Sequence, residues 1–252
     1  MNSKRKIYRI GEKNINKQGL QMVIINYRDR HNIDVKFDNG YIVNETTYME
    51  FCNGSILNPL FPSYLNKGFL GIGEYKTREN GIKTSAYVKW GSMLTRCYSS
   101  KYKEITYQDC FVCDEWMNYQ NFAKWHYENY YLLENERVEL DKDILERDNK
   151  EYCPQKCMYV PHKINSIICN RSNNRGKYAI GVSQTPNGKF ISNCNINGKT
   201  KYLGLFTTEL EAFLAYKKAK ESEICRLAET YRGKIPDKVI ETIQQYKVRI
   251  KD

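Results

Sequence analysis

The sequence lacks a long apolar segment, since no run approaches the roughly 20 apolar residues that a membrane-spanning helix requires. Its first residues, MNSKRKIYRIGEKN, are basic and lack the apolar core of a signal peptide. These two absences argue against a membrane anchor and against secretion. We therefore predict an intracellular protein of the cytoplasm that has no membrane partner.

Acidic residues are also in short supply, with 29 Asp and Glu against 40 Lys and Arg, which gives a formal net charge of +11. So much positive charge repels itself unless a partner neutralises it, and this favours a polyanion over a small acidic metabolite. The chain also has 21 tyrosines, and aromatic rings interleaved with cations suit phosphate contacts and base stacking. The alternative is that tyrosine fills half-buried positions of a β-rich chain. Composition predicts a nucleic-acid partner and leaves RNA open.

A disulfide framework is not expected either. The nine cysteines are odd in number and scattered through a chain without a secretion signal, which favours reduced thiols or metal ligands. At 252 residues the chain is long enough to build its core without disulfides. Two close pairs have a separation compatible with one tetrahedral zinc ion, and buried free thiols are the alternative. The pairs are Cys110 with Cys113 and Cys153 with Cys157.

Hydrophobic periodicity predicts an α+β protein of three modules. Residues 1–65 alternate like short strands around the turn Asp38-Asn39-Gly40, which predicts a small antiparallel β-module. Residues 66–172 change to helical spacing and then to the order strand, loop, strand, helix. Residues 173–252 contain three alternating runs separated by glycine turns, and then a capping box, Thr208 with Glu211, that starts a helix. We expect this last module to be a three-stranded sheet packed on a helix.

The middle strand of that sheet has two different faces. Phe190 and Cys194 lie on the face that can pack on the helix, whereas Lys189, Asn193 and Asn195 lie on the free face. Asparagine can make paired hydrogen bonds to adenine, and cations can contact the flanking phosphates. The cations expected to frame this face are Arg175, Lys177, Lys199 and Lys201. Such a sheet fits the major groove of double-stranded DNA, while an ordinary solvated face is the alternative.

A resemblance supports the DNA interpretation. The stretch from Tyr178 to Lys220 contains Ile-Gly-Val, Gly-Lys, Tyr-Leu-Gly-Leu-Phe-Thr and Glu-Ala-Phe-x-Ala-Tyr at their expected spacings. It resembles the DNA-binding domain of the APETALA and ethylene-response-factor type. That family reads the DNA major groove with a three-stranded sheet, and the resemblance implies the same use here. Phe190 stands where the family commonly has tryptophan.

The middle module contains candidates for a ββα metal site. Such a site needs a general base and a metal ligand at the end of one strand and a second ligand on the following helix. Asp141, Asp143, His162 and Asn165 have suitable side chains at suitable places in the order of predicted elements. Asp143 could equally cap or pair locally, and His162 could be a surface histidine.

The wider segment from Tyr87 to about Asn170 resembles HNH endonuclease-like proteins of phages and prophages, through Met-x-x-Arg-Cys-Tyr, Val-Cys-Asp-Glu-Trp and Leu-Asp-Lys-Asp-Ile. The resemblance implies a divalent Mg or Mn ion, with Asp141 and Asn165 as its ligands. Lys142 stands where the catalytic histidine is expected, and Lys156 replaces the usual middle asparagine. A lysine is a poor general base at neutral pH unless burial lowers its pKa. His162, one turn before Asn165, is the candidate for the missing imidazole.

Three functions follow as hypotheses. The first is a phage-type HNH-like endonuclease that holds and cleaves double-stranded DNA. The second is a catalytically degenerate DNA-binding protein, acting as a regulator or counter-defence factor, in which Lys142 and Lys156 contact phosphates. The third adds a protein partner recruited through the N-terminal module.

Overall fold

The computed structural model describes residues 8–103, 107–169 and 177–250. Helices and small, mostly antiparallel sheets are both present, which confirms the predicted α+β class. The chain divides into two compact units: unit 1 is Met1–Gln108 with Asp114–Lys124, and unit 2 is Asp109–Cys113 with Trp125–Asp252. The three-module division at residues 65 and 172 stays a prediction. Across the described ranges, no helix has both the length and the apolar character needed to span a bilayer.

Unit 1 begins with an antiparallel sheet whose strand order is 1-2-3-4. Its strands are β1 (Lys13–Ile15), β2 (Gln21–Asp29), β3 (Asn32–Phe37) and β4 (Ile42–Thr46), and helix α1 (Tyr48–Cys52) follows them. Apolar residues at every second position of β2 and β3 are buried and meet Phe51 of α1, so alternation in sequence becomes one apolar face. Gly40 closes the predicted turn between β3 and β4 with a φ of 88°, a conformation that glycine adopts without strain.

The rest of unit 1 is mainly helical. Its elements are the hairpin β5 (Arg78–Glu79) and β6 (Ile82–Lys83), then α2 (Ser85–Tyr98), α3 (Ser100–Lys103), α4 (Asp114–Met117) and α5 (Tyr119–Asn129), which continues into unit 2. The sequence predicts one helical face from Trp116 to Ala123, but the helix breaks at Asn118. The backbone of Phe69 inserts there, because its N–H bonds to the Met117 carbonyl and its carbonyl accepts the Tyr119 N–H.

Unit 2 contains the order strand, strand, helix expected for the middle of the chain. Strand β7 (Phe111–Val112) pairs in parallel with β9 (Glu151–Tyr152), and β8 (Val138–Asp141) pairs antiparallel with β10 (Met158–Pro161). Helix α6 (His162–Ile168) follows β10 directly. The register of β8 and β10 sets Asp141 opposite Met158 and Val138 opposite Pro161, so Asp141 lies at the end of the hairpin away from the start of α6.

The C-terminal part of unit 2 is a three-stranded antiparallel meander followed by two helices. Its elements are β11 (Val182–Gln184), β12 (Phe190–Ile196), β13 (Lys199–Phe206), α7 (Glu209–Glu229) and α8 (Asp237–Gln244). The predicted capping box of Thr208 and Glu211 starts α7. One core joins the sheet, α6, α7 and α8 through Cys194, Ile164, Phe213 and Ile240.

Candidate nucleic-acid interface and strand-strand-helix centre

The three-stranded sheet presents one face to α7 and the other to solvent. On β12, Ser192 and Cys194 are buried, whereas Asn193 is half-buried and Asn195 is exposed. The alternation predicted from the sequence therefore places both asparagines on the outer face. Among the residues that the structure describes, neither asparagine side chain has a hydrogen-bond partner, so both amides can accept and donate to a ligand.

The register of β12 and β13 adds residues to that outer face. Asn193 pairs with Tyr202 and Asn195 with Thr200, and directly paired residues project from the same side of a sheet. The Tyr202 side chain is 63% exposed, so its ring stands beside the two asparagines. Sequence reasoning missed Tyr202 and Thr200. The signal was present, because a two-residue Asn-Gly loop pairs Ile196 with Lys199 and thereby fixes the rest of the register.

The predicted lysines lie around this face rather than across it. Lys201 pairs with Cys194 and Lys199 with Ile196, so both alternate toward the α7 side, yet both are exposed because β13 is an edge strand. Lys189 is exposed just before β12, and the Lys177 ammonium lies 5.8 Å from the Tyr178 ring centroid. Arg175 lies outside the described residues. From residue 177 to residue 208 the chain has four lysines and no Asp or Glu.

Close packing beneath the sheet keeps the outer face in place. Gly181 has a φ of 74°, and a Cβ atom there would lie 2.0 Å from the Tyr216 ring of α7. At the far end of β12, the Glu223 carboxylate accepts the Asn197 N–H at 2.9 Å and is held by Arg226 at 2.7 Å. The Arg226 guanidinium lowers the pKa of Glu223, so the carboxylate stays ionised and keeps the turn attached to the helix.

Asp141 occupies the end of β8, where the resemblance implies a metal ligand. Its Oδ1 accepts the backbone N–H groups of Asp143 and Ile144, each at 2.8 Å, so this oxygen closes a local turn. Burial raises the pKa of Asp141, and the two N–H groups act in the opposite direction. One carboxylate oxygen is therefore already committed to the backbone.

The Lys142 side chain is buried, and its ammonium donates to three oxygen atoms. Its ammonium donates to both carboxylate oxygens of Asp143, at 2.8 and 2.9 Å, and to the Asn149 carbonyl. Burial lowers the pKa of Lys142, but the Asp143 carboxylate outweighs that effect and the net shift is upward. A protonated ammonium cannot accept a proton, so the geometry argues against Lys142 as a general base. Asp143 pairs locally, which was the alternative to metal binding.

His162 and Asn165 contact other groups. His162 Nδ1 lies 3.2 Å from Glu139, and its ring also contacts Arg137. The Asn165 side-chain oxygen accepts a hydrogen bond from the Cys169 thiol, with 3.5 Å between Oδ1 and Sγ. The backbone at Pro161, next to His162, lies three residues along β10 from the partner of Asp141, which is about 10 Å at the usual strand rise. The register thus separates the backbone of His162 from that of Asp141.

These side chains fit a divalent cation poorly. Hard cations prefer several carboxylate or carbonyl oxygens, whereas here one oxygen of Asp141 holds the backbone and Asp143 is neutralised by a buried ammonium. Within the described ranges, no group of three or more His, Cys, Asp and Glu side chains is arranged to hold a metal ion. The Mg or Mn site therefore stays a prediction without a donor set that matches it.

The four cysteines considered for zinc lie near the parallel pair β7 and β9. Cys113 donates its N–H to the Tyr152 carbonyl at 3.0 Å, and the Cys157 N–H bonds to the Cys153 carbonyl at 3.1 Å. Cys110, Cys153 and Cys157 are buried. Burial raises the pKa of the Cys110 and Cys157 thiols, which favours the protonated form over the thiolate that binds zinc. Zinc stays a prediction, as does the alternative of reduced thiols.

Lys156, the second position at which the chain departs from the HNH pattern, contacts carboxylates. Its ammonium lies 3.3 Å from Glu146 and 3.2 Å from Glu151, and these carboxylates raise the pKa of Lys156. A lysine between two carboxylates is a weak candidate for binding phosphate.

Comparison of the chain with protein-family models, with curated proteins and with solved structures found no match.

Proposed function

We propose that this protein binds double-stranded DNA through the outer face of the β11–β13 sheet. The observation that carries the proposal is the chemistry of that face. Two asparagine amides have no side-chain hydrogen bond within the described part of the chain, and they lie beside an exposed tyrosine, bordered by lysines, in a stretch without acidic residues. A two-stranded β-ribbon is narrow enough to enter the major groove, and β12 with β13 forms such a ribbon. The lysines supply phosphate contacts, which position the sheet, and the amides supply base contacts, which give specificity.

The spacing of the two asparagines supports contact with two different base pairs. Asn193 and Asn195 are separated by two positions, so their Cα atoms lie about 6.6 Å apart along β12 at the usual strand rise. That separation is about two base-pair steps of 3.4 Å. Each amide can then face a different base pair, and bidentate contact with adenine contributes about 1–3 kcal/mol of discrimination at each.

The test is fluorescence anisotropy with a duplex selected from a random library by the wild-type protein. Asn193→Ala with Asn195→Ala is expected to reduce affinity for the selected duplex by about 30-fold or more, and to leave non-specific affinity within a few-fold. Lys238→Gln on α8 is the matched surface control, because it is exposed and distant in sequence from the sheet. If the folded double asparagine variant keeps its affinity for the selected duplex, the outer face of the sheet does not recognise the DNA sequence.

A second candidate function is metal-dependent DNA cleavage. The observation that favours it is the chain order β8, β10, α6, with Asp141 at a strand end and Asn165 on the helix. Supercoiled plasmid nicked in the presence of magnesium or manganese, with activity lost in both Asp141→Ala and Asn165→Ala, is the result that this function requires. If the plasmid stays intact while the protein binds DNA specifically, the result favours the non-catalytic DNA-binding function.

A further inference from the structure

Unit 1 contains a cavity of about 440 Å³ beside helix α2, remote in sequence from the C-terminal sheet. Sites for small ligands commonly span about 300–1,000 Å³, so the volume suits one small molecule or one unit of a polymer. The side chains that give it chemical character are Tyr64, Lys83, Tyr87, Ser92, Thr95 and Arg96.

One stripe of α2 forms the floor of this cavity. Tyr87, Gly91 and Thr95 follow one another at intervals of four residues, which places them on one side of the helix. Gly91 is needed in the middle, because a Cβ atom there would lie 2.6 Å from the Tyr64 hydroxyl oxygen. The missing side chain lets the Tyr64 ring pack against Trp90, with ring centroids 5.2 Å apart.

The aromatic wall is supported from behind. The Tyr87 ring lies 5.9 Å from Trp90 and 5.6 Å from Tyr119, measured between centroids, and both of these neighbours are fully buried. Side chains locked by buried neighbours lose little conformational freedom when a ligand binds. Tyr87 itself is half-buried and therefore presents part of a rigid ring to the cavity.

Cations and hydroxyl groups complete the lining. The Lys83 ammonium lies 5.8 Å from the Tyr87 ring, and the Arg96 guanidinium lies 5.8 Å from the Tyr107 ring. Ser92 and Thr95 add hydroxyl groups to the lining, and the Thr95 hydroxyl donates to the Gly91 carbonyl at 2.7 Å. None of the described residues that line the cavity is acidic. Each of these cations lies beside an aromatic ring, so the lining suits a ligand that carries both an anionic group and a planar ring.

We propose that this cavity binds a nucleotide, with its base placed against the Tyr87 ring and its phosphate attracted by the two cations of the lining, Lys83 and Arg96. The nucleotide is either free or one unpaired unit of a nucleic-acid strand, since the same chemistry recognises both. An inorganic anion would contact the cations but could not stack on the Tyr87 ring. A neutral ring could stack on Tyr87 but would gain no electrostatic attraction from the cations. The residues of this site belong to unit 1 and those of the C-terminal sheet to unit 2, so the proposal does not depend on DNA binding by the sheet.

The experiment is isothermal titration of the full chain carrying Asn193→Ala and Asn195→Ala, so that the proposed sheet contacts are removed. The probes are dAMP, deoxyadenosine, inorganic phosphate and single-stranded pentadeoxyadenylate. We expect dAMP or the pentanucleotide to bind at least about tenfold more tightly than deoxyadenosine or phosphate. Binding of dAMP identifies a free nucleotide, and binding of the pentanucleotide alone identifies a unit within a strand.

Substitutions of the lining residues test whether the probe binds in the cavity. Arg96→Gln and Lys83→Gln are each expected to weaken the bound probe by about tenfold, and Tyr87→Leu by about fivefold or more. Lys124→Gln, an exposed lysine of unit 1 outside the cavity, is the matched control and is expected to change affinity by less than twofold. Lys83 is exposed on a short hairpin, so its variant tests the site even if Arg96→Gln disturbs the fold.

Three results would overturn the proposal. The first is that neither nucleotide probe binds. The second is that inorganic phosphate binds as tightly as dAMP or the pentanucleotide. The third is that a nucleotide probe binds with an affinity that neither the Lys83 nor the Arg96 variant changes.

Discussion

Replacing Gly181 with alanine tests how helix α7 supports the outer face of the sheet. Gly181 lies just before β11 with a φ of 74°, and its carbonyl accepts the Asn193 N–H at 2.8 Å. A Cβ atom there would meet the Tyr216 ring at 2.0 Å. The substitution therefore adds two separate penalties: a strained backbone and a collision with a buried ring that cannot move freely.

A matched variant separates those penalties. Gly188 has a φ of 78° in the turn before β12, but a Cβ atom there meets nothing within 4 Å. Gly188→Ala is expected to destabilise the sheet by about 1–2 kcal/mol through the left-handed backbone alone. Gly181→Ala adds overpacking of about 1–3 kcal/mol, which gives about 2–5 kcal/mol in total.

Hydrogen exchange of the β12 amides, the Asn193 N–H above all, measures this difference. Because 1.4 kcal/mol corresponds to a factor of ten, exchange in Gly181→Ala should be about 5- to 150-fold faster than in Gly188→Ala. Equal exchange rates in the two variants would refute the claimed packing of Tyr216 beneath the sheet. Such a result would also remove the structural reason for a rigid outer face.

Two further predictions concern buried charge. Asp34 has a pKa lowered to about 2, first by the Arg28 side chain and then by the Glu45 N–H. Its stabilising effect is therefore fully present above its unfolded pKa near 3.9 and is lost as the pH falls through about 2. Asp34→Asn should lower the midpoint of thermal unfolding at pH 7 and have a much smaller effect at pH 2; an equal loss at both values would contradict the assignment. Lys142→Met should lower the free energy of unfolding by about 1–3 kcal/mol in urea titrations, since the Asn149 carbonyl loses its partner, and a neutral result would show that water replaces the ammonium.

Local sequence signals predict the C-terminal sheet well. Asn197-Gly198 is a two-residue turn, and both residues have positive φ, as a tight hairpin of this type requires. Strand alternation then places Cys194 inside and Asn195 outside, as the structure has them. The bulge near Gly204, which shifts the register beyond Ser192, was not predicted, although a glycine inside a strand is its usual signal.

Long-range contacts explain what the sequence did not predict. The helix break at Asn118 depends on the backbone of Phe69, which no local pattern near Asn118 reveals. The state of Lys142 depends in the same way on the loop that brings the Asn149 carbonyl to its ammonium. The resemblance to HNH proteins implies that Asp141, Lys142 and Asn165 belong to one centre, but only the hydrogen bonds show which oxygens already have partners.

The most direct test of DNA binding by the sheet is the salt dependence of duplex affinity in the wild type and in a Lys189→Gln, Lys201→Gln variant. Each lysine that contacts a phosphate contributes about 0.9 to the slope of log affinity against log salt. We therefore predict that the double substitution reduces the magnitude of the slope by about 1.8, while Lys238→Gln leaves it unchanged. Duplex binding with a slope that the two sheet substitutions do not alter would contradict the account, because the phosphates would then lie against another surface.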